Sequence, residues 1–84
     1  MLYKHIIQGG YLMNLSIAPI GVLMKIKKVK ISGDQKKLLA NMGFVEDASV
    51  TVISENQGNL IVNVKDSRVG IGQDIARKIM VVPA

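Results

Sequence analysis

The sequence predicts a mainly β domain: about five short strands rolled into a small barrel, with one helix inserted after the first long strand and one short helical turn before the last. Three observations carry this. Aliphatic residues alternate with polar ones at Val50 and Val52, and again at Leu60, Val62 and Val64, the period-2 signature of strands buried on one face. Turn formers punctuate the chain at short intervals, at Pro19 and Gly21, Ser32-Gly33, Gln57-Gly58 and Asp66-Ser67. One stretch without β-branched residues, Gln35 to Met42, runs into Gly43, as a helix with a glycine stop does.

Residues 1–12 match no helix or strand template. They hold His5, both tyrosines and the Gly9-Gly10 pair, and Met13 follows them. Two readings stand side by side: a flexible tail, or upstream sequence ahead of a translation start at Met13, with residues 13–84 forming the domain. Leu15-Ser16-Ile17 alternates, and Ala18-Pro19-Ile20-Gly21 makes a turn. Val22 to Ile31 is the first long strand. Its pattern changes phase, because Val22, Met24 and Ile26 share one face whereas Val29 and Ile31 fall on the other. One extra residue at Lys27-Lys28, a bulge, restores the register and bends the strand. After the helix come a strand from Ala48 to Ser54, a turn at residues 56–59, a strand from Leu60 to Lys65, a turn at Asp66-Ser67, and a strand from Arg68 to Ile71. A helical turn within Gly72–Lys78 and a last strand from Ile79 to Val82 complete the chain. This is the layout of an SH3-like barrel.

The corner at residues 34–47 is the most specific stretch. Asp34 is placed to cap the helix N-terminus. Leu38, Leu39 and Met42 are expected on its packed side. Counting back from Gly43 makes Leu39 and Phe44 the positions that meet in a Schellman ending.

Composition narrows the chemistry. The chain has 84 residues, no Cys, no Trp and one Phe, so its core is aliphatic, and disulfides, thiolate metal sites and a cysteine nucleophile are excluded. No run is apolar enough for a transmembrane helix, and membrane insertion is not expected. No nucleophile–base pair and no phosphate-binding glycine loop is present, so the chain is not expected to be an enzyme. No cofactor is indicated. Glu46, Asp47 and Asp66 offer oxygen ligands for a divalent metal only if folding gathers them; the metal site itself is unassigned. The net charge of +5 admits an acidic partner, nucleic acid or an anionic surface, although three aromatic residues are too few for a stacking platform. Lys25, Lys27, Lys28 and Lys30, with Lys36 and Lys37 on the helix, form either a solvated face that protects a sheet edge or a docking surface.

From Met13 to Pro83 the motifs, in order, resemble ferrous iron transport protein A (FeoA), a domain also found at the C-terminus of diphtheria-toxin-repressor-type regulators. The carriers are Leu15 to Gly21, the step from Ile26 to Val29, Leu38-Leu39-Ala40-Asn41-Met42-Gly43-Phe44-Val45, Val50-Thr51-Val52, Ile61-Val62-Asn63-Val64, Val69-Gly70-Ile71, and Ala76 through Ile79 to Val81. The chain departs from the family at Glu46-Asp47, where Pro-Gly is common, and at Lys36 and Lys37, where arginines are. The resemblance implies a cytoplasmic accessory protein of ferrous iron uptake. Its partner would be the large membrane permease with a cytosolic GTPase domain (FeoB type), and the only metal implied is weakly held ferrous iron. The expected contact residues are Gln35, Lys36, Lys37, Asn41, Val45, Glu46 and Asp47, supported structurally by Asp34, Leu39, Gly43 and Phe44. Two alternatives remain: a stand-alone repressor-like SH3 module that senses metal or binds peptide, and a basic RNA-binding module.

Overall fold

The computed structural model describes residues 12–84; the tail or upstream segment read from the sequence therefore lies, except for Leu12, outside the described residues. Six strands form one antiparallel sheet: β1 (Met13–Asn14), β2 (Leu23–Val29), β3 (Ser49–Asn56), β4 (Asn59–Val64), β5 (Ser67–Gly72) and β6 (Ile79–Pro83). Their order is β1-β6-β2-β3-β4-β5, so β1 and β5 remain edges and the sheet is not closed by hydrogen bonds. Helix α1 (Gly33–Asn41) joins β2 to β3, and helix α2 (Gln73–Ala76) joins β5 to β6.

The sheet curls because one side of every strand from β2 to β6 feeds a single core. Met24 and Ile26, Val50 and Val52, Leu60, Val62 and Val64, Ile71, and Ile79 and Val81 all belong to it. Leu39 and Phe44 join from the α1 corner, and Leu15, Ala18 and Ala76 from the segments beside β1 and β6. This is the alternation read from β3 and β4. The bulge expected at Lys27-Lys28 is also present: opposite β6, the register steps from Ile26↔Val81 to Lys28↔Met80. Lys27 is the extra residue, and Ile26 and Val29 both turn inward, Val29 only partly.

Several expectations need correction. The strand count rises to six because Met13–Asn14 pairs with β6; two residues are too short to show a period. Leu15–Ile17, which alternate like a strand, form a 3-10 turn, started by the Asn14 side chain accepting from Ser16 N at 3.1 Å. The first long strand begins at Leu23, leaving Val22 exposed. A second bulge, unforeseen, lies in β3 between Val52 and Ser54.

Asp34 does not cap α1. Ser32 holds the N-cap position without a side-chain hydrogen bond, and Asp34 stands inside the first turn, where its charge favours the positive end of the helix dipole. Leu38 is not packed but 59% exposed. Finally, the β4–β5 turn sits on Lys65 and Asp66, at φ 53 and 64, between the paired Val64 and Ser67. Two left-handed residues make the type I′ geometry that matches strand twist. Gln57 and Gly58, at φ 51 and 83, do the same between β3 and β4.

Asp47 also has a positive φ, 70. It is the third residue of a turn closed by Ala48 N donating to Val45 O at 3.1 Å, the position where a type II turn demands glycine-like backbone. The Pro-Gly of the resembled family suits this turn, and Glu46-Asp47 occupies it under strain. Asp47→Gly should therefore raise stability by about 0.5–1 kcal/mol, the left-handed cost relieved less the entropy glycine loses. Urea unfolding measures this, and an unchanged or lower midpoint would contradict it.

Candidate functional site

The chain stops α1 by a Schellman ending, as its sequence predicts. Phe44 N donates to Leu39 O at 2.9 Å and Gly43 N to Ala40 O at 3.0 Å, the 6→1 and 5→2 pair of that motif. Gly43 takes φ 107 and is buried, and a Cβ there would stand 3.1 Å from Val64 Cγ2 and 3.2 Å from Lys65 Cβ. Only glycine lets the helix end press this closely on the β4–β5 turn. The Leu39 and Phe44 side chains are both buried in the core.

Beyond Phe44 the corner is clamped to β2. Asp47 N donates to Ile26 O at 2.7 Å, and Ile26 N donates to Ala48 O at 2.9 Å. With Phe44 buried and Asp47 tied down, Val45 between them is held outward, 44% exposed. An apolar side chain fixed in water by backbone hydrogen bonds on both sides is suited to contact with a partner.

Val45 and Ala40 separate two hollows. The larger, about 540 Å³, runs from Ala40, Gly43 and Val45 to the outward residues Leu23, Thr51 and Asn63 of the sheet, with Lys65 and Asp66 at its end. The smaller, about 340 Å³, is lined by Lys28, Lys36, Phe44 and Glu46 beside the same ridge. Of the seven contact residues expected from the sequence, Lys36, Val45 and Glu46 line these hollows. Gln35, Lys37, Asn41 and Asp47 are exposed but do not line them.

Sequence reasoning missed Leu38, Leu23, Thr51, Asn63 and Lys65. Leu38 lies three residues from both Gln35 and Asn41, so the three make one exposed stripe on α1. Thr51 and Asn63 were legible as outward positions, since their neighbours Val50, Val52, Val62 and Val64 point inward. What the sequence does not give is that α1's end folds over beside them.

The metal expectation finds no gathered site: among the described residues, no group of three or more His, Cys, Asp and Glu side chains could hold an ion. Asp66 lines the larger hollow and Glu46 the smaller. His5 lies outside the described residues. Among the described residues, no charged or polar side chain is buried, and no helix is long and apolar enough to cross a membrane.

The same architecture occurs in solved proteins. Iron(II) transport protein A from Clostridium thermocellum superposes with TM-score 0.81 at 23% identity, over 86% of this chain and 46% of that one; the chain thus spans about half the length of that relative. A FeoA iron uptake regulatory protein matches with TM-score 0.77 at 23% identity, over 87% and 97% of the two chains. The zinc complex of Stenotrophomonas maltophilia FeoA, a prokaryotic SH3 domain protein, gives TM-score 0.69 at 20% identity over 82% and 88%. These identities establish a shared SH3-like fold. A search of curated protein sequences finds no match. Residues 13–83, nearly the whole described chain, match the FeoA domain profile, and the chain belongs to the FeoA domain family.

Proposed function

We propose that this protein is a non-catalytic accessory of ferrous iron uptake that acts by docking on the cytosolic part of the ferrous iron permease, the GTPase-bearing FeoB type. Membership of the FeoA family supplies the link to iron(II) transport. The observation that carries the docking mode is Val45, exposed yet fixed, on a ridge between two hollows. Lys28, Lys36 and Glu46 line the hollow on one side of it, and Leu23, Thr51 and Asn63 line the hollow on the other. An apolar centre with a charged rim is the usual anatomy of a specific protein contact.

Ferrous iron in this reading is the cargo of the permease. The chain's own acids Glu46, Asp47 and Asp66 contribute rim charge rather than a coordination sphere.

Binding to the permease's cytosolic domain, measured by calorimetry or pull-down, tests the proposal. Val45→Asp should weaken binding about 10- to 30-fold, as loss of a central apolar anchor does. Reversal of both Lys36 and Lys37 to Glu should slow association and change its salt dependence. Unchanged binding in both variants removes the corner from consideration.

A further inference from the structure

Lysines distant in sequence stand together on one outer face of the sheet. On β2, Met24 and Ile26 point inward, so Leu23 and Lys25 point outward. The bulge at Lys27 resets the phase, and Lys28 faces the same way opposite Met80. Beyond the strand end, Lys30 N donates to Lys78 O at 2.7 Å, which makes these two lysines neighbours. Lys25, Lys28, Lys30 and Lys78 are all exposed. The bulge therefore serves the surface as well as the core, since without it Lys25 and Lys28 would fall on opposite faces.

This face has little charge to balance it. β1, β2, β4, β5 and β6 contain no Asp or Glu. The one acid in a strand is Glu55, near the far end of β3, and it accepts from Gln73 Nε2 at 2.8 Å. Asp34, Glu46 and Asp47 lie at the α1 corner, Asp66 in the β4–β5 turn and Asp74 on α2. Of these, Glu46 borders the face, across the smaller hollow from Lys28.

The lysine row starts beside an apolar knuckle. Ile17, Ile20, Val22 and Leu23 are each at least 41% exposed. They do not belong to a slack loop: Gly21 N donates to Val52 O at 2.8 Å, and Ala84 N to Leu23 O at 3.1 Å. Aliphatic residues held out in water next to a lysine face form the two-part signature of peripheral attachment to a bilayer, where neither part suffices alone.

We propose that the β2–β6 outer face is a docking surface for an anionic phospholipid bilayer. The lysines lie against the headgroups, and Leu23, outward beside Lys25, reaches the boundary of the acyl region without crossing it. Nucleic acid fits less well. The four cations are all lysines, without the bidentate arginine fork that grips phosphate, and Phe44, the only aromatic among residues 12–84, is buried, which leaves no base-stacking platform among the described residues. This proposal overlaps the corner's side chains only at Lys28 and Leu23, so its failure leaves the corner's role standing.

The test is sedimentation of the full chain with vesicles of phosphatidylcholine alone or mixed with phosphatidylglycerol. Binding should appear only with phosphatidylglycerol and disappear at high salt. Each lysine near an anionic surface is worth about fivefold, so replacing Lys25, Lys28, Lys30 and Lys78 by Gln should lower the partition coefficient several-hundredfold. Leu23→Ser should weaken binding while leaving its salt dependence in place. All these positions are exposed, and circular dichroism confirms that each variant is folded. No binding to phosphatidylglycerol vesicles at low salt overturns the proposal. So does wild-type binding by the quadruple variant, and so does duplex DNA or RNA displacing the protein from vesicles.

Discussion

Gly43→Ala is expected to destabilise the protein by about 2–4 kcal/mol, more than alanine at any other glycine of positive φ. Two costs add. The backbone stands at φ 107, and holding an L residue in left-handed territory costs about 1–3 kcal/mol. The new Cβ would also meet Val64 Cγ2 at 3.1 Å and Lys65 Cβ at 3.2 Å. Val64 is fully packed in the core, so its side chain has no free space into which to retreat. Gly58 isolates the first cost, because it has φ 83 with nothing within 4 Å of its would-be Cβ. Gly58→Ala should cost only about 1–2 kcal/mol. In a domain of this size each kcal/mol lowers Tm by roughly 4–8 °C, so thermal melts separate the two variants clearly. Equal losses at the two positions would mean that the close approach of the corner to the β4–β5 turn contributes nothing.

Phe44→Ala should be the more damaging substitution, at about 3–5 kcal/mol. Phe44 is 2% exposed and the largest of the buried side chains. A chain of this length has roughly 4–13 kcal/mol of total stability, so the variant approaches the limit of folding at physiological temperature. Leu39→Ala should cost about 2–5 kcal/mol. Because both side chains pack in one core beside the same helix ending, the double variant should show a coupling of about 0.5–3 kcal/mol. Strict additivity would show that the two act separately. Phe44→Leu, which keeps an apolar side chain in place, should retain most of the stability and the exposed position of Val45.

These costs bear on function through position. The glycine stop and the buried phenylalanine fix where the chain emerges from the core, and the next residue, Val45, is the proposed anchor. Loss of packing at residue 44 should therefore weaken partner binding even where the chain remains folded.

The parts of this arrangement that were legible in the sequence are those written as phase. The alternation at Val50 and Val52, and at Leu60, Val62 and Val64, gives strand and inward face together. The slip between Ile26 and Val29 gives the bulge. The glycine after a leucine-bearing helix gives the Schellman ending, because its hydrogen bonds close within six residues. Where phase is absent, the reading stops. β1 has two residues. The bulge near Ile53 lies where the chain turns polar from Ser54 to Asn56, so no later inward residue records the slip. The β4–β5 turn falls one residue early because Lys65 accepts a left-handed backbone that its type does not advertise. Asp34 looks like a cap, but Gly33 at φ 72 lets Ser32 take that position.

The candidate site was half legible for the same reason. Val45, Glu46 and Lys36 lie on one local stretch and were found. Leu23, Thr51 and Asn63 come from three strands and meet the corner only through tertiary folding. Leu38 was misplaced because a helix docked mainly through Leu39 leaves its neighbour in water. The lysine face shows the converse. The lysines of residues 25–30 were visible as a cluster, but their union with Lys78 needs the β2–β6 register.

In the function proposed here, the α1 corner is the surface through which this FeoA-family protein meets the ferrous iron permease. Nuclear magnetic resonance titration of the labelled full chain with the permease's cytosolic domain tests it most directly. The perturbed amides should cluster at Gln35, Leu38 and Asn41, at Val45, Glu46 and Asp47, and along the adjoining hollow at Leu23 and Thr51, and Val45→Asp should abolish the pattern. Perturbations confined to the β5 edge or to the β2–β6 lysine face, with the corner silent at saturation, would contradict it.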